Sequence, residues 1–328
     1  MRVSLLEELR FAVPFDAYAW LLTDPETCVG SAPLAETPSI ADLPALIRLK
    51  YLTITNRWTS LASNKAATLS ASTQGDRSKS RMWRELLVGY GIDDVASIVF
   101  RDQYGCWGFL DVWRNDGIFS IEECAVLQSF AKFVTPALRH SLTSTFAHPS
   151  STLDQDSGPA VLLLSDDLSL LTQTPQTDAF LRALLPTDAG RSPVPAAAYN
   201  VAGQLLAREH GVDQHPPWAR VHLSDGVWVT LRAARIDKTS ALDLASIAVS
   251  IELTRPNERA ALYARVAGFT ERESELLHQL VGGSDTRALA DRLFMSEHTV
   301  QDHLKSMFAK TGVNARRMLI ARATGLAG

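Results

Sequence analysis

Apolar residues recur along this chain at two different periods, and the changes of period mark its parts. A short helical pattern opens it, followed by strand-like runs at Ala17–Thr23 and 27–33. The spacing of Leu43, Leu46, Ile47, Tyr51 and Leu52 predicts a helix over 41–55, and Trp83, Leu86 and Leu87 predict another over 80–90. Two β-branched and aromatic runs, 95–101 and 106–114, are joined by Asp102-Gln103-Tyr104-Gly105 and read as a hairpin. Ser120 and Glu123 have capping-box spacing ahead of a long helix striped by Leu127, Phe130, Ala131, Val134 and Leu138.

Periodicity then stops. Residues 146–159 are rich in Ser, Thr, Pro and Asp and read as a linker between a first segment, 1–145, and a second, 160–254. The second holds a buried-strand run at 161–164, a turn at Asp166-Asp167, a further short strand and a small helix over 178–185. Strand patterns at 219–223 and 227–233 flank Ser224-Asp225-Gly226, and one more covers 245–253. Helices interspersed with antiparallel hairpins predict α+β folds for both segments. No internal repeat with a period of 20 to 50 residues is visible. Residues 255–268 read as a connecting helix into a third segment, 269–328.

That segment is patterned throughout as helix. Thr270 and Glu273 form a capping box, Leu276, Leu277, Leu280 and Val281 face inward, and Gly282-Gly283 ends the first helix. Behind Asp285 a second helix over 286–293 buries Leu289, Ala290 and Leu293, and Phe294-Met295-Ser296 makes a tight turn in which Ser296 caps a third helix. Val300, Leu304, Met307, Phe308 and Thr311 share one arc of the third helix. His298, Asp302, Lys305 and Ala309 lie opposite, with Gln301 and Ser306 at the margins, and such side chains can approach base edges. Gly312 ends that helix, and from Asn314 a fourth carries Leu319, Ile320 and Ala323.

At roughly 150 residues per domain, 328 residues allow two domains or three small ones. With 46% hydrophobic and 21% charged residues, the chain has the apolar content for packed cores and is not a disordered or low-complexity polymer. The net charge of −4 on its own argues against an all-over nucleic-acid binder. Residues 286–328, however, carry seven basic side chains against three acidic, +4, which leaves −8 on residues 1–285. This asymmetry suits a nucleic-acid-binding module attached to an acidic body. Cys28, Cys106 and Cys124 form no CxxC pair and fit a reducing, cytoplasmic compartment. Glu7, Glu8 and Arg10 interrupt the first apolar residues, so no signal peptide is expected, and no apolar run approaches the roughly 18 residues that span a bilayer.

FTERESELLHQLVGG, ALADRLFMSEHTVQDHLKSMFAKTGV and ARRMLIAR, taken together, resemble the LuxR-type (GerE-like) DNA-binding domain over its whole length. The resemblance implies an all-α four-helix helix-turn-helix domain whose third helix enters the major groove and whose fourth mediates homodimerisation. Ser296 and Thr299 match positions near the phosphate backbone, and Gln301, Asp302 and Lys305 match positions that face bases. Gln301 stands where Lys is frequent, so one phosphate contact is lost. Asp302 either accepts from a cytosine amino group or pairs with Lys305 or His298 on a solvated face. Lys310, Arg316 and Arg317 are candidates to reach phosphate, while Arg316 is equally a candidate partner of an acidic residue such as Glu273.

By order of elements the first segment resembles a GAF-type sensor domain and the second a PAS-like domain. Trp107, Phe109, Asp111 and Trp113 share one strand face by alternation and either line a ligand pocket or form a core face. Cys106 reads as a small buried hydrophobe, and His210 and His215 as loop residues. No residue set completes a metal site, no cofactor is implied, and the GxxxxGK, GxSxG, HExxH and GxGxxG motifs are missing. The start of the chain also lacks the acidic cluster of a phosphoacceptor receiver. The sequence thus predicts a multidomain, non-enzymatic, cytoplasmic one-component transcription regulator. It would bind double-stranded DNA at a palindromic operator as a homodimer, meet RNA polymerase and respond to a small-molecule signal. The competing reading is a sensor protein whose helical C-terminal domain serves protein interaction.

Overall fold

A computed structural model describes residues 1–63, 65–146, 159–184, 196–223, 227–236 and 246–326. Apart from its ends, the linker expected at 146–159 lies outside the described residues, as does the Ser224-Asp225-Gly226 turn.

The first module runs α1 (Arg2–Ala12), β1 (Ala17–Thr23), β2 (Gly30–Glu36), α2 (Leu43–Leu52), β3 (Ala67–Thr68), α3 (Leu69–Ser72), α4 (Arg81–Glu85), β4 (Asp94–Asp102), β5 (Gly105–Arg114) and α5 (Ile121–Thr143). Its antiparallel sheet has the order β2-β1-β5-β4-β3. Ser120 and Glu123 cap α5 reciprocally, and Leu127, Ala131, Val134 and Leu138 are buried along its predicted stripe. One sheet face packs Trp20 on Phe100, centroids 5.2 Å apart, with Phe130 of α5 edge-on at 5.9 Å. On the other face Phe109 stacks against Trp58 at 4.4 Å.

The second module holds β6 (Ala160–Ser165), β7 (Leu170–Gln173), α6 (Pro175–Leu184), α7 (Ala196–Glu209), β8 (Trp218–His222), β9 (Trp228–Ile236) and β10 (Ser246–Leu253). Its sheet order, β7-β6-β10-β9-β8, repeats that of the first sheet strand for strand, although no repeat shows in the sequence. Helix α7 packs on α2 and β2. The approach is close enough that a Cβ at Gly203 would sit 3.0 Å from the Tyr51 ring.

The third module contains α8 (Pro256–Val266), α9 (Glu271–Val281), α10 (Thr286–Leu293), α11 (Glu297–Thr311) and α12 (Arg316–Thr324). Leu276, Leu277, Leu280, Leu289, Ala290, Val300, Leu304, Met307, Leu319 and Ala323 form its core, so each predicted stripe faces inward. No helix of the described residues is long and apolar enough to cross a membrane.

Contacts divide the chain into two compact units. The front unit comprises Met1–Pro136, Gly158–Val221 and Thr230–Glu252, and so contains most of both α+β modules. Two buried ion pairs join those modules, Asp24 with Arg220 at 2.7 Å and Arg57 with Asp213 at 2.8 Å. The rear unit comprises Ala137–Ser157, His222–Val229 and Leu253–Gly328. Within it Phe146 packs against Trp228 at 5.4 Å and Tyr263 at 5.2 Å.

Candidate nucleic-acid interface

Helix α11 is positioned from both ends. At its start the Ser296 hydroxyl accepts from Thr299 N at 3.1 Å and lies 2.9 Å from Thr299 Oγ1. Phe294, in the turn before it, takes the left-handed conformation at φ 53° and points its ring fully into solvent. That backbone lets Met295 N reach back to Ala290 O at 3.0 Å and turns the chain between the helices. At the far end Gly312, at φ 67°, stops α11, and Arg322 donates to Thr311 O at 2.8 Å.

Between these ends a buried carboxylate holds the helix. Glu273 is 2% exposed and accepts from Thr270 N at 2.7 Å, Ser306 Oγ at 2.7 Å and Lys310 Nζ at 2.6 Å. Burial alone would raise its pKa, but these donors, Lys310 foremost, hold it below the ordinary glutamate range. The capping box that starts α9 therefore also ties α9 to two successive turns of α11.

The opposite face of α11 is open. His298, Thr299, Gln301, Asp302 and Lys305 are exposed, as is Ser296 before them. Asp302 lies 3.1 Å from Lys305 Nζ and 3.5 Å from His298 Nε2, and the Lys305 hydrogen bond chiefly lowers its pKa. In this state Asp302 makes both of the surface pairings considered from sequence. Arg317 is exposed at the start of α12. Two other cations are engaged inside the domain: Lys310 with Glu273, and Arg316 with the Ser284 carbonyl. The suggested Arg316–Glu273 pair is thus corrected, because Lys310 occupies that carboxylate.

Residues 267–323 match the profile described as bacterial regulatory proteins, luxR family. The C-terminal domain is a LuxR-family helix-turn-helix domain. It is of the kind found in DNA-binding transcription regulators, and residues 1–266 lie outside the match. Comparison of the whole chain with curated proteins finds no match. In this LuxR-family domain α10 and α11 are the helix-turn-helix pair.

The front unit holds a cavity of about 40 Å³ between the first sheet, α2 and α7. Phe109, Asp111 and Trp113 line it, but Trp107 does not. The register slips between Phe100 and Arg101, which leaves Trp107 without a cross-strand partner in a bulge, and its indole donates to Asp102 at 2.9 Å. Asp111 pairs with Lys50 at 2.6 Å and accepts from Ser97 Oγ at 2.7 Å. Asn200 of α7 also lines the cavity, fully buried, with neither amide atom hydrogen-bonded, and Trp113 Nε1 is likewise unpartnered. A volume of this size admits only a few waters or a very small ligand.

Lys50 and Asn200 escaped the sequence reading. Asn200 carried a usable signal, a lone amide inside the apolar run AAAYNVAG. The fold also gathers Arg139, His140, Lys310 and Arg322 around a 400 Å³ cavity in the rear unit, although they are scattered in sequence. Among the described residues no group of three or more His, Cys, Asp or Glu side chains is placed to hold a metal ion.

Proposed function

We propose that this chain is a sequence-specific DNA-binding transcription regulator that acts in the cytoplasm as a homodimer on a palindromic operator. In this reading α11 lies in the major groove. Ser296 and Thr299 meet the phosphate backbone, His298, Gln301 and Asp302 face base edges, and the Lys305 ammonium, on the same groove-facing side, neutralises a phosphate. Arg317 reaches phosphate, and Lys310 and Arg316 position α11 and α12. Helix α12, with Met318 exposed on its surface, supplies the dimer contact, and two-fold symmetry sets half-sites about one helical turn apart. The GAF-like and PAS-like front modules receive a small-molecule signal, the first at the cavity lined by Phe109, Asp111 and Trp113, and RNA polymerase is the downstream partner. No cofactor or catalytic group is assigned.

One observation carries this reading: within a LuxR-family domain, the polar face of α11 is left exposed while its other side is pinned by Glu273. Selection of bound genomic fragments tests it, with enrichment of a common palindrome as the expected result. Gel shifts across a salt series then separate the roles. Lys305→Ala weakens binding to every sequence and lowers the salt slope by about 0.9 for a lost phosphate neutralisation. Asp302→Ala relaxes preference at one base pair, worth about 1–3 kcal/mol. Recovery of no shared sequence, with Lys305→Ala silent, would sink the proposal.

A further inference from the structure

The rear unit carries a cavity that the DNA-binding reading leaves unused. Its volume is about 400 Å³, in the range of small-molecule sites, where the front cavity offers about 40 Å³. Three helices end at it, α5 with Arg139 and His140, α8 with Tyr263 and Val266, and α11 with Lys310, and Arg322 of α12 completes the wall. The cavity is reached from solvent: His140 and Ser144 in its lining are exposed, and the Lys310 side chain is 31% exposed.

Its charge is positive. No Asp or Glu lines it. Arg322 donates to a carbonyl, Thr311 O, at 2.8 Å. Arg259 adjoins the lining from behind: it is 2% exposed, and its Nη1 donates to Arg322 O at 2.5 Å. Its guanidinium lies 4.7 Å from the Phe146 ring centre, and its Nε and Nη2 have no hydrogen-bond partner. Burial draws the Arg259 pKa down to about 10, so the group stays charged at neutral pH. Among the described residues neither Arg259 nor Arg322 meets a carboxylate. Lys310, Arg322 and Arg259 thus bring three positive charges to the ends of α8 and α11, and Glu273 offsets one of them. The carbonyls left open at a helix end act as roughly half a negative charge, so two ends offset about one more and an excess of about one remains. Arg139 and His140, at the end of α5, add to it.

We infer that this cavity is a binding site for a small phosphomonoester, between a sugar phosphate and a nucleoside monophosphate in size. A phosphate monoester carries about −1.5 to −2 charges near pH 7, which complements the excess at the site. Arg139 and Arg322 supply planar guanidiniums, each able to hold two phosphate oxygens at once, and Lys310 supplies a compact charge. A phosphate by itself fills little of 400 Å³, and Val266 and Ala267 give apolar surface for an organic body.

The ligand touches both side chains that hold the far end of α11, Lys310 on Glu273 and Arg322 on Thr311 O. It joins them to the last residues of α5, so binding stiffens the end of α11 against α5, α8 and α12. This assignment goes beyond the DNA-binding reading and does not rest on it.

Isothermal titration of the full-length protein at low ionic strength tests it. The probes are ribose 5-phosphate and AMP, and the controls are ribose, adenosine and inorganic phosphate. The expected result is one saturable site per chain that takes a phosphate ester about tenfold or more tighter than its dephosphorylated counterpart, and tighter than inorganic phosphate. Arg322→Met and Arg139→Met each weaken the ester about tenfold or more, and the ester slows amide exchange at the ends of α5 and α11. Arg139 lies on α5, outside the C-terminal domain, so its variant decides the matter if Arg322→Met fails to fold. Absence of saturable binding, equal binding of ribose and ribose 5-phosphate, or an affinity that neither variant changes overturns the site. Inorganic phosphate bound as tightly as the esters means an adventitious ion only and overturns it too. A gel-shift salt slope lowered by Arg139→Met in the absence of ester would assign these cations to DNA phosphate and likewise overturn the proposal.

Discussion

Lys310 offers the sharpest test of how α11 is held. Its ammonium is 2.6 Å from a Glu273 carboxylate whose side chain is 3% exposed, while the lysine side chain itself is 31% exposed. Lys310→Met keeps the aliphatic stem and removes only the charge. Breaking a buried ion pair from one side costs about 3–5 kcal/mol. Here the carboxylate keeps Thr270 N and Ser306 Oγ, and the lysine is partly solvated, so the cost falls to about 2 kcal/mol. Glu273→Gln retains a capping side chain and frees the ammonium to water, at about 1 kcal/mol. The double variant should cost less than the sum of the two, because the second change removes a partner already lost.

The domain beyond residue 268 contains no tryptophan, so native-state amide exchange of peptides covering α9 and α11 is the suitable assay. A loss of 2 kcal/mol raises the exchange rate there about 30-fold. The pH dependence has a definite sign. Glu273 is held below its ordinary value of 4.5, so its contribution is present above that pH and is lost as pH falls through the lowered value. DNA binding supplies the second readout, since Lys310→Met should leave the salt slope unchanged where Lys305→Ala lowers it by about 0.9. A lowered slope with unaltered exchange would show that Lys310 contacts phosphate and would refute the scaffold role argued for Glu273.

Phe294→Gly should relieve roughly 1–2 kcal/mol of left-handed strain against up to about 1 kcal/mol of added chain entropy, since the ring, 97% exposed, packs on nothing. Slower amide exchange in α10 by a few-fold is expected; faster exchange refutes it. Asn200→Leu removes a buried amide with two unpartnered atoms, worth about 1–3 kcal/mol, and should raise the thermal midpoint of the front unit by several degrees. A lowered midpoint would mean that a bound molecule satisfies the amide. Arg220→Met strands the fully buried Asp24 and should destabilise the front unit by about 3–5 kcal/mol in urea unfolding followed by tryptophan fluorescence. Asp24 is buried but held below its ordinary value by Arg220, so in the parent this contribution vanishes only as pH falls through that lowered value.

Local signals were enough to place the C-terminal helices. Thr270, Asp285 and Ser296 each cap a helix as their spacing suggests, and the glycines fall at helix ends. Helix α7 was illegible because it is buried on nearly every side, so it shows no amphipathic stripe. The strand expected over 27–33 begins only at Gly30, because Cys28 takes left-handed angles and extends the turn. Long-range chemistry was least visible. Capping-box spacing identifies Glu273 but says nothing of Lys310, 37 residues on, and Cys28 meets His215 across 187 residues. Alternation placed Phe109, Asp111 and Trp113 correctly on one face, while a bulge, which no pattern announces, removed Trp107 from the cavity.

The ion pairs that join the two front modules limit how those modules can move against each other. Asp24 is satisfied on both oxygens, Oδ1 by Glu26 N at 2.9 Å and Arg220 Nη2 at 2.9 Å, Oδ2 by Arg220 N at 3.0 Å and Nε at 2.7 Å. Arg57 is equally committed, to Asp213, to Gln204 and to the Tyr51 carbonyl. Buried pairs of this kind return little net stability over apolar packing, but they are costly to break one partner at a time. An opening that parted the ion pairs without admitting water would leave four charges buried and unpaired, so such a partly separated state is sparsely populated. Hinge motion between the modules is therefore disfavoured. The elements in contact across that joint are α7 on β2 and Asp24 on Arg220, so a displacement of β2 or of the Asp24 turn meets packed partners in the second module.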